Sequence, residues 1–212
     1  MIESAHPLQK RIPHQKEVEI EYRHFSVGAI PYRIIEGRVE VLVHHFVQTP
    51  PLQVVSAEPV VFQDVYKLMT ETPEKGENPE TTVARGLKEE FGAAGLCKNN
   101  WKIRTKTVYP WYSPQQKRGI MTEKTTDYFL VENVTFVGGR ETNTLEGRSN
   151  LEWVEIGVLA EKMEGQLIRY PEIPDVDESA ALYAAMNHLA LSKEEEKIFA
   201  NIASDITKRS SR

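Results

Sequence analysis

Lys75–Gly95 reads KGENPETTVARGLKEEFGAAG, and the fold turns on what this stretch becomes. Asn78 accepts backbone N–H groups well as an N-cap, Pro79 suits the first helical position, and Glu80 suits the positive end of the first turn. Val83, Ala84, Leu87 and Phe91 recur at helical spacing as one apolar stripe, and Gly92 supplies the stop. The spacing predicts a short helix with a charged face made of Arg85, Lys88, Glu89 and Glu90. Residues three and four apart share a face, so position 86 lies beside Glu89 and Glu90, and Arg85 beside Glu89. Two adjacent carboxylates repel unless a cation lies near them. A divalent metal is one such cation; an ordinary solvated face laced with Arg85–Glu89 pairs is the plainer alternative.

The flanks place this helix within a sheet. HFSVGAIPYRIIEGRVEVLVHHF, residues 24–46, reads as a strand, a turn at Glu36-Gly37 and a second strand. Val39, Val41 and Val43 are β-branched and alternate with polar neighbours, as a half-buried strand requires. QVVSAEPVVFQDVYKLM is extended and apolar, broken at Pro59. Beyond the helix, WKIRTKTVYPW and KTTDYFLVENVTF read as strands joined by the polar loop YSPQQKRGIMTE, and NLEWVEIG as a short strand leading into a helix near Val158–Met163. Leu182, Ala185, Met186 and Leu189 line one further helix. Ser192 and Glu195 form a capping box for another, with Ile198, Phe199, Ile202 and Ile206 as its stripe. The order predicts an α/β protein, a mixed sheet sandwiched by helices. The expected division is a polar arm over 1–20, one domain over 21–165, and a helical extension over 166–212.

The bulk numbers narrow the class. The chain has 212 residues, is 40% hydrophobic and 27% charged, and carries a net charge of −5. That is ordinary globular composition, and the charge argues against gripping a nucleic-acid duplex as the main task. Cys97 is the single cysteine, which rules out an internal disulfide and a multi-cysteine zinc site. The opening residues carry no signal-peptide pattern and no segment approaches a membrane span, so a cytoplasmic protein is expected.

The segment ending at Gly92 resembles a Nudix box, the signature of Nudix hydrolases. That signature is a glycine, five residues, a glutamate, seven residues, then Arg-Glu-aliphatic-x-Glu-Glu-x-Gly. Glu77, Arg85, Leu87, Glu89, Glu90 and Gly92 match it. Two positions depart: Glu71 stands where the first glycine belongs, and Gly86 where the first helix carboxylate belongs. The flanking hairpin and the closing LEWVEIGVLAEKM are similar to the same family, so the likeness spans roughly residues 24–165.

The resemblance implies a Nudix-type α/β/α sandwich. It also implies hydrolysis of a nucleoside diphosphate linked to another moiety, with Mg²⁺ or Mn²⁺ as cofactor. The rival it leaves open is a non-hydrolysing module that binds a nucleotide or a protein. Metal-side carboxylates would be Glu89, Glu90, Glu74 and Glu146, the last from the loop before the closing strand, with Glu141 in reserve. Glu71 offers another carboxylate. Arg85 and Glu77 would hold helix and loop in register.

Lys124, Arg118 and Tyr112 are the candidate substrate contacts, by charge for phosphates and by stacking for a base. The expected partner is a small-molecule nucleotide, with no nucleic-acid duplex and no membrane; a homodimer is compatible with the resemblance. His44 and His45 are adjacent on a strand, so at most one faces any site, and a structural role is expected for both. Gly86 costs about 1 kcal/mol of helix propensity relative to Ala. A glycine there either lets a substrate or a backbone come close or marks a lost function.

Overall fold

A computed structural model of the chain describes residues 19–54, 58–141, 149–170 and 178–190. Among these residues, seven strands form a mixed sheet: β1 Tyr22–Ile35, β2 Arg38–Gln48, β3 Gln63–Lys67, β4 Met69–Glu71, β5 Ala93–Ser113, β6 Arg118–Phe136 and β7 Asn150–Glu155. The path runs β3-β2-β1-β6-β5, with β4 beside β1 and β7 beside β2. β1 and β6 run parallel; the other pairs are antiparallel. The β1–β2 hairpin turns at Glu36 and Gly37, both with positive φ (50° and 80°), the backbone that matches strand twist in a two-residue turn.

The strand period of two splits the core into two clusters on opposite faces. Ala29, Leu42, Met69, Phe129 and Val131 face α1 (Pro79–Gly86, extended by a π-helical turn Leu87–Phe91) through Val83, Leu87 and Phe91. Their chain neighbours Ile30, Val41, Val43, Leu68, Tyr128 and Leu130 face α2 (Ile156–Arg169) and the helical residues 178–190. The alternation is the physical cause of the three layers, since each strand must bury both faces. No helix among the described residues is long and apolar enough to cross a membrane.

The differences from the sequence reading have local reasons. Ala84 is exposed, while Thr82 and Gly86 are buried, so the inward face of α1 is 82–83–86–87–90 and its stripe includes small and polar residues. β5 and β6 extend through most of the expected loop and leave a turn at 114–117. Their polar stretches are held by cross-strand ion pairs, Arg104–Asp127 at 2.6 Å and Lys106–Glu123 at 2.7 Å. α2 runs past the expected boundary at 165, and Ala181, Leu182, Ala185 and Leu189 share one cluster with it. The residues expected to begin an extension are therefore part of the second helical layer. The N-terminal arm through residue 18 and the helix expected around Ile198–Ile206 lie outside the described residues.

Candidate active site

α1 begins where Asn78 Oδ1 accepts from Thr81 N at 2.8 Å and ends at Gly92, whose φ of 61° is the left-handed region that glycine favours. Within it, Arg85 is the hub. Its Nε and Nη2 donate to the two oxygens of Glu77 at 3.2 and 3.1 Å. Its Nη1 donates to Glu71 Oε2 at 2.8 Å and to Glu89 Oε2 at 3.3 Å, and Nη2 also reaches the Thr72 carbonyl at 3.0 Å. Three carboxylates thus share one guanidinium. Thr82 Oγ1 and the Glu74 backbone N–H donate to Glu77 as well. These donors, with Arg85 foremost, hold the Glu77 carboxyl down at about 2.

Glu90, the next residue, belongs to a different network. Its carboxylate turns inward and meets His44 Nε2 at 2.9 Å. His44 Nδ1 lies 2.7 Å from Ser149 Oγ, and Arg140 Nη2 donates to that same Oγ at 2.8 Å. Burial foremost, with Lys67 and Arg140 nearby, pushes the His44 pKa well below its ordinary value, so the ring is neutral. A neutral imidazole has one N–H. With Arg140 donating to Ser149 Oγ, an assignment consistent with these contacts runs Arg140 to Ser149, Ser149 to His44 Nδ1, and His44 Nε2–H to Glu90. His45 points to the other side, stacked on Tyr66 at 4.3 Å and bonded to Asp64 and Glu152. Opposite orientation of the two histidines follows from the strand period.

The segment after β6 closes the helix end. Glu141 N donates to the Glu89 carbonyl at 2.7 Å, and Arg140 Nε to the Glu90 carbonyl at 2.7 Å. Residues 141 and 149 therefore both lie against this end of the site. Glu146, between them, lies outside the described residues. Glu74 is exposed and joins the cluster through its backbone, donating to Glu77 and accepting from Glu77 N.

The expected substrate contacts stand elsewhere. Lys124 is buried on β6 two residues from Thr126 and four from Tyr128, the face away from α1. Arg118 pairs with Glu21 through both terminal nitrogens. Tyr112 lines a cavity of about 500 Å³ with Tyr22, Trp111 and Gln115. Tyr22 is five residues from Val27, the β1 partner of Glu71, so this cavity is roughly 16 Å from the acidic face at about 3.3 Å per residue. Only an extended molecule spans both.

Gly86 is buried, and a Cβ there would lie 2.7 Å from Met69 Sδ and 2.8 Å from Glu71 Cγ. Strand β4 is what comes close. His44, Arg140 and Ser149 were not singled out as site residues by the sequence; the pair HH at 44–45 was its one trace.

The donors on the outer face are all carboxylate oxygens, the chemistry Mg²⁺ or Mn²⁺ favours. Among the described residues no group of three or more His, Cys, Asp or Glu side chains is arranged to hold a metal ion. Glu71 and Glu89 do converge, through one Arg85 nitrogen. That suits an ion held by one or two carboxylates together with a substrate's phosphates, and not an all-protein cage.

No family model matches the chain, and no curated protein does. Among solved structures it is similar to a C. elegans Ap4A hydrolase in a binary complex, at 14% identity and a TM-score of 0.41, covering 76% of this chain and 98% of that one. It is similar to a Nudix hydrolase from Nitrosomonas europaea, at 18% and 0.41, over 77% and 89% of the two chains. The Nudix domain of Shewanella oneidensis NrtR, complexed with ADP-ribose, is similar at 12% and 0.38, over 67% and 79%.

Proposed function

We propose that this chain is a Nudix-type hydrolase that cleaves the phosphoanhydride of a nucleoside diphosphate linked to another group, with Mg²⁺ or Mn²⁺. The observation that carries the reading is the Arg85 hub, which gathers Glu71, Glu77 and Glu89 on a partly exposed face while Glu90 is fixed behind it. Glu89 and Glu71 are the carboxylates that would hold the cation, with Glu146 proposed to join them and Glu90 oriented beside them by His44. When bound, such a cation neutralises diphosphate oxygens and favours attack by water.

The chain's own residues do the rest. Arg85 keeps Glu77 ionised and so ties the 74–77 turn to the helix. Of the three carboxylates bonded to Arg85, Glu89 is the most exposed at 37%, and it is the one proposed to take the proton of the attacking water. Water adds to phosphorus, and the bridging P–O bond breaks with its electrons leaving on the second phosphate. Positioning and charge neutralisation supply most of the barrier lowering in such a reaction.

The test is phosphate and nucleotide release from a panel of nucleoside diphosphate derivatives, with and without Mg²⁺ or Mn²⁺. Turnover should require the metal and fall about 10–100-fold or more in Glu89→Gln and in Glu90→Gln. Protein that is folded by circular dichroism yet releases nothing from any substrate leaves the binding module as the better reading.

A further inference from the structure

We propose that Glu71 and Gly86 form a matched exchange, in which strand β4 supplies the carboxylate that helix α1 lacks. The inference rests on the hydrolase reading and adds to it a residue from outside the helix.

Three observations carry it. First, the Glu71 side chain fills the place a side chain at 86 would take, since a Cβ on Gly86 would lie 2.8 Å from Glu71 Cγ. Real Cβ atoms essentially never come that close, so the two side chains cannot coexist without a shift. Second, the Glu71 carboxylate ends on the same helix face as Glu89, because Arg85 Nη1 bonds to both. Third, Glu71 is 23% exposed at its side chain, so its oxygens remain within reach of an incoming ion or phosphate-bound cation.

A residue needed only to balance Arg85 would be superfluous here, because Glu77 already meets that guanidinium through two nitrogens. The direction of approach differs as well. A carboxylate carried by the helix moves with α1, whereas Glu71 is fixed by the pairing of β4 with β1, where it sits opposite Val27. The two departures from the box, read in space, are then one change. Gly86 is small because Glu71 is present.

The experiment compares Glu71→Gln, Glu71→Gly, Gly86→Glu and the double exchange Glu71→Gly/Gly86→Glu. Mn²⁺ binding is read from the free-ion paramagnetic resonance signal, thermal unfolding is read without metal, and hydrolysis is read on the substrate panel. Glu71→Gln keeps the size of the side chain, so it should melt close to wild type while binding Mn²⁺ about 10-fold more weakly or worse. Gly86→Glu alone should melt lower, because its Cβ meets Glu71 and Met69. The double exchange should recover both melting temperature and Mn²⁺ binding, with the flexible Met69 shifting into the space that Glu71 vacates.

Two results overturn the proposal: Glu71→Gln binding Mn²⁺ as wild type does, or the double exchange melting no higher than Gly86→Glu. If wild type binds Mn²⁺ and turns over substrate while Glu71→Gln is silent, this inference falls alone. If wild type does neither, the hydrolase reading falls and takes this one with it.

Discussion

Glu89 and Glu90 are chain neighbours with opposite surroundings. Glu89 is 37% exposed and shares one guanidinium with two other carboxylates. Glu90 is 10% exposed and faces a fully buried, neutral imidazole. The cause is geometric: successive residues on a helical turn point to different sides, so one carboxylate leaves the sheet and the next is driven toward it. The outer network is the more open to solvent, and it is where we propose the cation binds. The inner one is a polar unit in low dielectric, where each missing partner is expensive.

The sharpest break in that contrast is His44→Leu. It takes the buried imidazole away from the Glu90 carboxylate and the Ser149 hydroxyl, at a cost of about 2–3 kcal/mol. Urea unfolding at neutral pH measures it. The pH profile should change too. Unfolded chains protonate His44 below about 6.5, whereas the folded ring stays neutral well below that. Wild type therefore loses stability as the pH falls below about 6.5, and in His44→Leu that part of the loss should vanish.

Arg85→Gln breaks the outer network and should cost less, about 1–2 kcal/mol, because the released carboxylates can turn to water. Millimolar Mg²⁺ should raise the melting temperature of Arg85→Gln more than that of wild type, since the ion can take over the neutralisation. Equal responses would mean that the outer acids do not attract a cation. Glu77→Gln is milder still at neutral pH, and its signature is in acid. Arg85 and the backbone hold the Glu77 carboxyl at about 2 against an ordinary value near 4.5. Its contribution is complete above that ordinary value and is lost as the pH falls toward 2. Tryptophan fluorescence followed from pH 5 to pH 2 should show a shallower acid loss in the variant.

How far the sequence foretold these networks depends on chain distance. Asn78, Pro79 and Gly92 act within one turn of their own position, so the helix and both of its ends were legible. Val39, Val41 and Val43 marked β2 as a strand, but not as the half-buried one expected, because Leu42 between them is equally buried on the opposite face. The hub was half legible, because Arg85–Glu89 and Arg85–Glu77 are short-range pairs. The inner network was not: His44 meets Ser149 across 105 residues and Glu90 across 46, and no local pattern joins them. β5 and β6 ran longer than expected for a related reason. Their polar halves pair across strands through Arg104–Asp127 and Lys106–Glu123, which hydrophobic periodicity does not register.

The smallest effect tests the boundary between the strand and the helix face. Gly86→Ala brings two opposed terms. Replacing glycine inside a helix is worth about 1 kcal/mol by propensity. Against it stands overpacking of about 1–3 kcal/mol, since the new methyl would lie 2.7 Å from Met69 Sδ and 2.8 Å from Glu71 Cγ. Both obstacles are side-chain atoms and Met69 is adaptable, so the net loss in wild type should be about 1 kcal/mol or less. In a Glu71→Gly background one obstacle is gone, the propensity term should dominate, and the same substitution should stabilise. The coupling is read as the difference between the two, by urea unfolding of all four proteins. A Gly86→Ala effect of the same sign and size in both backgrounds would show that Glu71 does not occupy the space at position 86. The glycine would then owe its place to Met69 alone.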